Sequence, residues 1–314
     1  MIRKFIHLKM ILILISIQIL NAQSDRVITS NTFIERKIKS SKLSIPWAGI
    51  GTARLESNSL ISSLKKGFTL IDTAKAYENE EMVGAVLSQI EDKNSIIVIT
   101  KLFRPNLENK QILKEAVLDS IKKIGKIPDI FLIHGPYPDV HMVAMIKEIE
   151  LLQKEGFVKD WGVSNFDIEH LEILIRNKLI PVINQIEYHP FFQRKELLHF
   201  CKKHNIIVQA YRPIAQGKVL EDDTIKKIAT KCNISPANLV YSWLEQQDMA
   251  VVTKVASDEH QDEYAKSQKI NLDTEDIQAI TALNKGEMGR TCKKGGWLVP
   301  FTQEIKEIWE TLVS

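Results

Sequence analysis

Gly67-Phe68-Thr69-Leu70-Ile71-Asp72-Thr73-Ala74-Lys75-Ala76-Tyr77-Glu78-Asn79-Glu80 joins an apolar run to a carboxylate and, five residues later, to a phenol. A short, continuous apolar run reads as a strand covered on both faces, and Asp72 is where it leaves the core. From Ala74 to Leu87 the apolar spacing returns to that of a helix. A strand that ends on a functional group and passes straight into a helix is a βα junction, where catalytic groups gather in a barrel.

Outward from this junction the same grammar repeats. Short apolar runs recur at Ala48 to Ile50, Thr69 to Ile71, Ile96 to Thr100, Ile130 to Ile133, Trp161 to Val163, Val182 to Asn184, Ile206 to Gln209 and Ala250 to Val252. Between most of them lie amphipathic segments of helical length, such as Lys110 to Ile124 and His141 to Glu155. Continuously apolar strands alternating with helices imply an α/β fold with an all-parallel sheet covered by helices. Helix punctuation agrees: Ser235-Pro236 is an N-cap followed by proline, Gly156 stands where a helix stops, and Asp273 opens Thr274 to Leu283. Residues 27 to 44 are expected to form a hairpin closing the barrel floor, and the tail after Gly286 is expected to end in a last helical stretch near Val313.

With 314 residues, 44% of them apolar, the chain can bury one large core, and nothing marks a second domain. Of the formal charge of +3, Arg3, Lys4 and Lys9 supply all, so no nucleic-acid surface is expected. Those cations precede the apolar run Met10 to Leu20 and then Asn21-Ala22-Gln23, the grammar of a signal peptide. The run is short of the roughly 20 residues a spanning helix needs, so membrane attachment is expected only if the leader is retained. Residues 1–22 are accordingly expected to be a leader or anchor, and residues 23–314 one barrel domain. Secretion, or a periplasmic or secretory-lumen location, follows from the leader, with the cytoplasm as the alternative. Cys201, Cys232 and Cys292 fit no metal or redox spacing and are expected to be buried thiols.

Four polar side chains stand at or just beyond strand ends: Asp72, Tyr77, Lys101 and His134. Singly, each has an ordinary structural reading: a helix cap, a half-buried aromatic, a solvated lysine and a hydrogen-bonded core histidine. Jointly they form a proton-delivery device. A phenol of pKa near 10 is a poor acid at neutral pH unless an ammonium stabilises its phenolate, and a buried ammonium needs a carboxylate. An imidazole beside them can donate a hydrogen bond to a carbonyl and orient it.

On these residues the chain resembles the aldo-keto reductase family from about Trp47 to Leu283. The motifs are Ile71-Asp72-Thr73-Ala74 with Tyr77 and Asn79-Glu80, Thr100-Lys101-Leu102, Asp129 to His134, Trp161 to Phe166 and Asn184 to Pro190, in the family's order and spacing. The resemblance implies a (β/α)8 TIM barrel with eight parallel strands and a C-terminal specificity loop. It further implies reduction of an aldehyde or ketone with NADPH, NADH also remaining open, by a monomer that requires no metal. Tyr77 would be the general acid, Lys101 and Asp72 would tune it, and His134 would position the carbonyl. Ser164, Asn165 and Gln185 match positions that hydrogen-bond the nicotinamide carboxamide, Tyr211 the ring-stacking residue, and Thr52, Ile214 and Glu263 other positions along the cofactor.

Departures from the family pattern cluster near the expected cofactor. Arg212-Pro213-Ile214 replaces Ser-Pro-Leu, so Arg212 either clamps phosphate or points to solvent. Val252-Thr253-Lys254-Val255, with His260 and Tyr264, keeps only Lys254 and Glu263 of the usual 2′-phosphate loop. Gly135 follows His134 where many members place Trp, leaving Phe103, Trp47 and Tyr137 as candidate pocket walls, with barrel packing as the other reading of Trp47. The competing functional expectation is a catalytically weak or inactive cofactor-binding barrel with a sensing role.

Overall fold

The apolar runs do become strands, and they close on themselves. The computed structural model describes residues 35–38, 43–107, 109–136, 142–267 and 270–292. In it β3 (Ala48–Gly51), β4 (Leu70–Asp72), β5 (Ile97–Leu102), β6 (Ile130–Ile133), β7 (Asp160–Ser164), β8 (Ile183–Glu187), β9 (Ile207–Tyr211) and β10 (Ala250–Thr253) pair in chain order, and β10 pairs with β3 to complete the barrel. Every pairing in the barrel is parallel. The leader, residues 27–34 of the expected hairpin, Tyr137 and the tail from residue 293 lie outside the described residues.

Parallel strands need crossovers, and the amphipathic segments supply them. Around the barrel lie α1 (Ser57–Lys65), α2 (Glu80–Leu87), α3 (Lys110–Ile124), α4 (Met142–Lys154), α5 (Ile168–Arg176), α6 (Lys195–Lys203), α7 (Asp223–Cys232), α8 (Pro236–Gln246), α9 (Asp258–Lys266) and α10 (Thr274–Thr281). Their ends follow the local chemistry. Asn109 caps α3 by accepting from Ile112 N, and Gly125 ends it in the left-handed region. Ser235 and Asp273 cap α8 and α10. The Ala74 to Leu87 segment is not one helix: a 3-10 turn over Lys75–Tyr77 is separated from α2 by Glu78 at φ 56. Asn79 stabilises that break, accepting from Thr73 Oγ1 at 2.8 Å and donating to the Thr52 carbonyl at 2.7 Å. Gly84 then lets α2 lie against the end of α3, where a Cβ would collide with the Lys123 carbonyl.

A two-stranded antiparallel hairpin, β1 (Glu35–Lys37) and β2 (Ser44–Pro46), precedes the barrel. Ile38 and Ile45 are fully buried and pack with Leu70, Ile130, Ile183 and Ala250, residues at the N-terminal ends of barrel strands. They plug the floor. Arg36 ties the hairpin to α8 by donating to the Glu245 carbonyl at 3.0 Å. Cys201 and Cys292 are buried, but Cys232 at the end of α7 is only half-buried, because the helix turns its last residues toward solvent.

Candidate active site

Because all barrel strands run the same way, their final residues share one rim. Asp72 ends β4, Lys101 stands near the end of β5, and His134 follows β6. The fully buried Lys101 ammonium uses all three N–H donors: to Asp72 Oδ1 at 2.5 Å, to the Thr73 carbonyl at 2.9 Å and to Tyr77 Oη at 3.4 Å. Asp72 is therefore no helix cap and Lys101 no solvated loop cation. The rings of Tyr77 and His134 meet edge to face, 5.9 Å between centroids.

Electrostatics refine the expected device. Burial would strip Lys101 of its charge, but Asp72 and Tyr77 outweigh it and hold the ammonium above its usual pKa. The Tyr77 phenol is also held above its ordinary value, since burial outweighs the opposing pull of Lys101. Lys101 does lower this phenol, but it limits the rise that burial imposes and does not reverse it. Burial, helped by Lys101, pushes His134 down to about 3, so the imidazole is neutral at physiological pH and keeps one N–H donor.

A second group of amides adjoins these residues. Asn165, in the left-handed region at φ 65, donates to the His134 carbonyl and to Ser164 Oγ, each at 3.0 Å. Its Oδ1 accepts from Tyr211 Oη at 2.8 Å. Ser164 Oγ donates to the Gln185 carbonyl at 2.9 Å. Gln185 Nε2 donates to Asp72 Oδ2 and to Gln209 Oε1, both at 2.7 Å. These contacts cross the barrel mouth and join the amides to the tetrad through Asp72. Thr52 is buried beside them, donating from Oγ1 to the Asp72 carbonyl at 3.1 Å.

Beyond Tyr211 the rim is strained. Arg212, Ala215 and Gln216 all have positive φ, a costly conformation for side-chain-bearing residues that persists only where the surroundings impose it. Arg212 Nη1 faces Thr291 Oγ1 at 3.4 Å, so it does not simply point to solvent, and Ile214 is half-buried against the core. On the far side Lys254 is exposed just after β10, His260 is exposed on α9, and Glu263 is half-buried.

One expected site residue falls elsewhere, and another turns its side chain inward. Trp47 is fully buried at the opposite end of the barrel, edge-on to Tyr264 at 5.5 Å, and its carbonyl accepts from Val251 N at 2.6 Å. It precedes β3 rather than following it, so it packs between the barrel and α9 at the end away from the rim and walls no pocket there. Val255 buries its side chain in the core and its carbonyl accepts from Gln261 Nε2 at 3.2 Å, so only its backbone N–H could meet a cofactor. Of the pocket residues, Phe103 is half-buried at the rim after β5 and Gly135 is buried beside His134.

Three residues at the rim escaped the sequence reading. Glu187, ending β8, is buried and accepts from Thr291 N and Oγ1 at 2.6 Å, from Cys292 N at 3.0 Å and from His189 Nε2 at 3.1 Å. It seats the start of the C-terminal segment on the barrel. This brings the Cys292 thiol near Tyr211 and Tyr77. Gln209, fully buried, completes the Gln185 amide contacts. Apart from His189, their partners lie 24 to 105 residues away and leave no local signal.

Comparison with known proteins agrees with this geometry. The profile of the Aldo/keto reductase family matches residues 57–285. Methylglyoxal reductase DkgB of Escherichia coli is 32% identical over 252 residues, spanning 77% of this chain and 94% of that protein. Glyoxal reductase of Bacillus subtilis is 32% identical over 250 residues, spanning 77% and 90%. Among solved structures, a variant of Gox0644 in complex with NADPH superposes with a TM-score of 0.77 at 33% identity, covering 83% of this chain and 97% of that one. With the barrel, the buried lysine contacts and these matches in agreement, the chain belongs to the aldo-keto reductase family of oxidoreductases.

Proposed function

We propose that the protein reduces a small aldehyde or ketone to an alcohol with NADPH, Tyr77 giving the proton. The observation that carries this reading is the closed set of Lys101 contacts. Because Tyr77 Oη accepts the third lysine proton, its own hydrogen is left to be donated to a carbonyl oxygen. A phenol held above its ordinary pKa is fully protonated at neutral pH, and a nascent alkoxide is basic enough to take that proton. Lys101 then faces the phenolate, and Asp72 keeps the ammonium charged. Neutral His134 donates its N–H to the same carbonyl oxygen and sets its angle.

The amide group fits a nicotinamide. Both Gln185 N–H donors are committed to the protein, which leaves Gln185 Oε1 to accept from a carboxamide NH2. Tyr211 offers a flat face at the same rim, and Ser164 and Asn165 flank it. Arg212, with the strained stretch after it, would hold the pyrophosphate, and Lys254 the adenosine phosphate. Bound there, the cofactor supplies the hydride that the residues of this chain cannot. NADH is a second reading, favoured by Asp258 and Glu259 in the first turn of α9, four and five residues after Lys254, where negative charge opposes an added phosphate. Small carbonyls suit a site with Gly135 beside His134, and methylglyoxal and glyoxal, after which relatives are named, are the first probes.

Tyr77→Phe tests the reading. Turnover of methylglyoxal with NADPH is expected to fall by roughly 10²–10⁴-fold, with NADPH binding by fluorescence titration unchanged. Wild-type turnover in that variant would sink the proton-donor role. The cationic start and the run Met10 to Leu20 support export of the chain. N-terminal sequencing that finds Gln23 first agrees with it, and Met1 retained on soluble cytosolic protein does not. Sedimentation checks the expected monomer.

A further inference from the structure

We infer that Glu80 is a positioning residue that sets the separation between Tyr77 and Lys101, an inference that rests on Tyr77 being the proton donor. Glu80 opens α2 with its side chain almost fully buried, 3% exposed. Its Oε1 accepts from Thr100 Oγ1 at 2.6 Å, and its Oε2 accepts from Ser120 Oγ at 3.2 Å and faces Lys75 Nζ at 3.8 Å. Thr100 is the residue before Lys101, and alternation along β5 turns its side chain to the face opposite Lys101. Lys75 belongs to the 3-10 turn that carries Tyr77. One carboxylate behind the barrel wall therefore grips the strand beside the ammonium and the turn beside the phenol.

The surroundings show why a grip is needed. Between the turn and α2 the chain passes through Glu78 at φ 56, so the turn is not held by continuous helix. Lys75 is tied on its other side to Asp119 of α3 at 2.6 Å, and Ser120 of α3 holds Glu80. The Lys101–Tyr77 contact, at 3.4 Å, is the longest of the three that Lys101 makes, so a small shift of the turn removes it. A buried carboxylate costs more than an apolar residue of the same volume unless fully partnered, and its partners Thr100, Ser120 and Lys75 are not among the groups that Lys101 Nζ contacts. The arrangement acts on the chemistry through the placement of Tyr77.

The test compares Glu80→Ala, Glu80→Gln and Thr100→Val, each alone and with Tyr77→Phe. Glu80→Ala is expected to lower kcat on the order of 10- to 100-fold, the effect of a displacement of about 1 Å at a reacting group, with KM within about twofold. Glu80→Gln, which keeps an acceptor for Thr100, is expected to recover most of that loss. In the Tyr77→Phe background Glu80→Ala is expected to add nothing, since it acts through that residue. A crystal structure of Glu80→Ala is expected to show Tyr77 Oη beyond hydrogen-bonding reach of Lys101 Nζ. An unmoved contact, or a full additional loss in the Tyr77→Phe background, overturns the inference. Should Tyr77→Phe itself turn over normally, the proton-donor reading falls and the measured Lys101–Tyr77 distance alone decides for or against Glu80. Thr100→Val, an isosteric change, gives the same two readings if Glu80→Ala does not fold.

Discussion

The two ends of this barrel each bury a lysine beside an aspartate, and they use the pair differently. At the rim, Lys101 meets Asp72 at 2.5 Å; at the floor, Lys126 meets Asp129 at 3.0 Å. Lys126 spends its other donors on the carbonyls of Ile96 at 2.6 Å and Lys93 at 3.3 Å, and Asp129 accepts from Val98 N and pairs with Lys159. Every partner there is backbone or another structural ion. Burial wins at the floor and holds Lys126 below its usual pKa, whereas at the rim the attraction of Asp72 and Tyr77 overcomes burial and raises Lys101. A buried ion pair closed upon backbone is architecture. One that leaves a donor directed at an ionisable side chain in an open mouth is chemistry.

The largest expected effect would break this contrast if it failed. Lys101→Met should lower kcat by roughly 10²–10⁴-fold. Lys126→Met should leave kcat per folded molecule unchanged. Lys101→Met should lose about 3–5 kcal/mol of stability, because it leaves buried Asp72 without its cation, and Lys126→Met should lose less, because Asp129 keeps Lys159 at 2.7 Å. Urea unfolding and steady-state kinetics on the same preparations separate the two; a floor variant with damaged kcat would erase the distinction.

Acid sharpens the comparison next. His134 at the rim and His170 in α5 are both held at about 3, chiefly by burial, so below pH 6.5 the unfolded chain binds protons that the folded one refuses. Their contribution is present above about pH 6.5 and is lost as pH falls toward 3, at about 1.4 kcal/mol per pH unit for each imidazole. Urea midpoints from pH 7 to pH 5 should show this slope. His170, whose Nδ1 accepts from Asp167 N at 3.1 Å, is structural, so His170→Asn should roughly halve the slope without changing kcat. No ionisation of His134 should appear in kcat between pH 6 and 7.

Glu187 gives a smaller effect. Burial alone would raise its pKa, but hydrogen bonds from His189, Thr291 and Cys292 hold it at about 2. Its stabilisation is therefore present above about pH 4.5 and lost as pH falls toward 2. Glu187→Gln should cost about 1–3 kcal/mol and speed proteolytic nicking of the chain beyond residue 285, read by mass spectrometry. The smallest effect is at the exposed Lys254. Lys254→Ala should weaken NADPH about tenfold, near 1.4 kcal/mol, and leave NADH unchanged; equal losses would remove the phosphate role of Lys254.

Much of this was legible in the chain. All eight apolar runs coincide with barrel strands to within a few residues, and Lys110–Ile124 is a helix with the expected bounds. The tetrad was visible because its members follow apolar runs, and parallel strands bring such positions to one rim. Trp47 was misplaced because an aromatic next to a strand looks the same before and after it, yet the two positions lie at opposite ends of the barrel. Val255 sits in a loop by its spacing, but the loop folds its side chain inward. The helix from Ala74 was expected to be continuous because its apolar spacing carries no mark of the left-handed turn at Glu78.

What the sequence by itself determined is the set of elements, their alternation and the residue types at strand ends. These follow from side-chain periods of two and 3.6 residues and from caps read within a few positions. Only the tertiary structure decided that Glu80 stands behind Thr100, that Gln185 reaches Asp72 across the mouth, and that Glu187 holds a segment 104 residues away. It also decided that burial outweighs Lys101 at Tyr77. Such contacts depend on how the barrel closes and on the register of its strands, and desolvation depends on everything packed around a group. Neither is a property of any short stretch of chain.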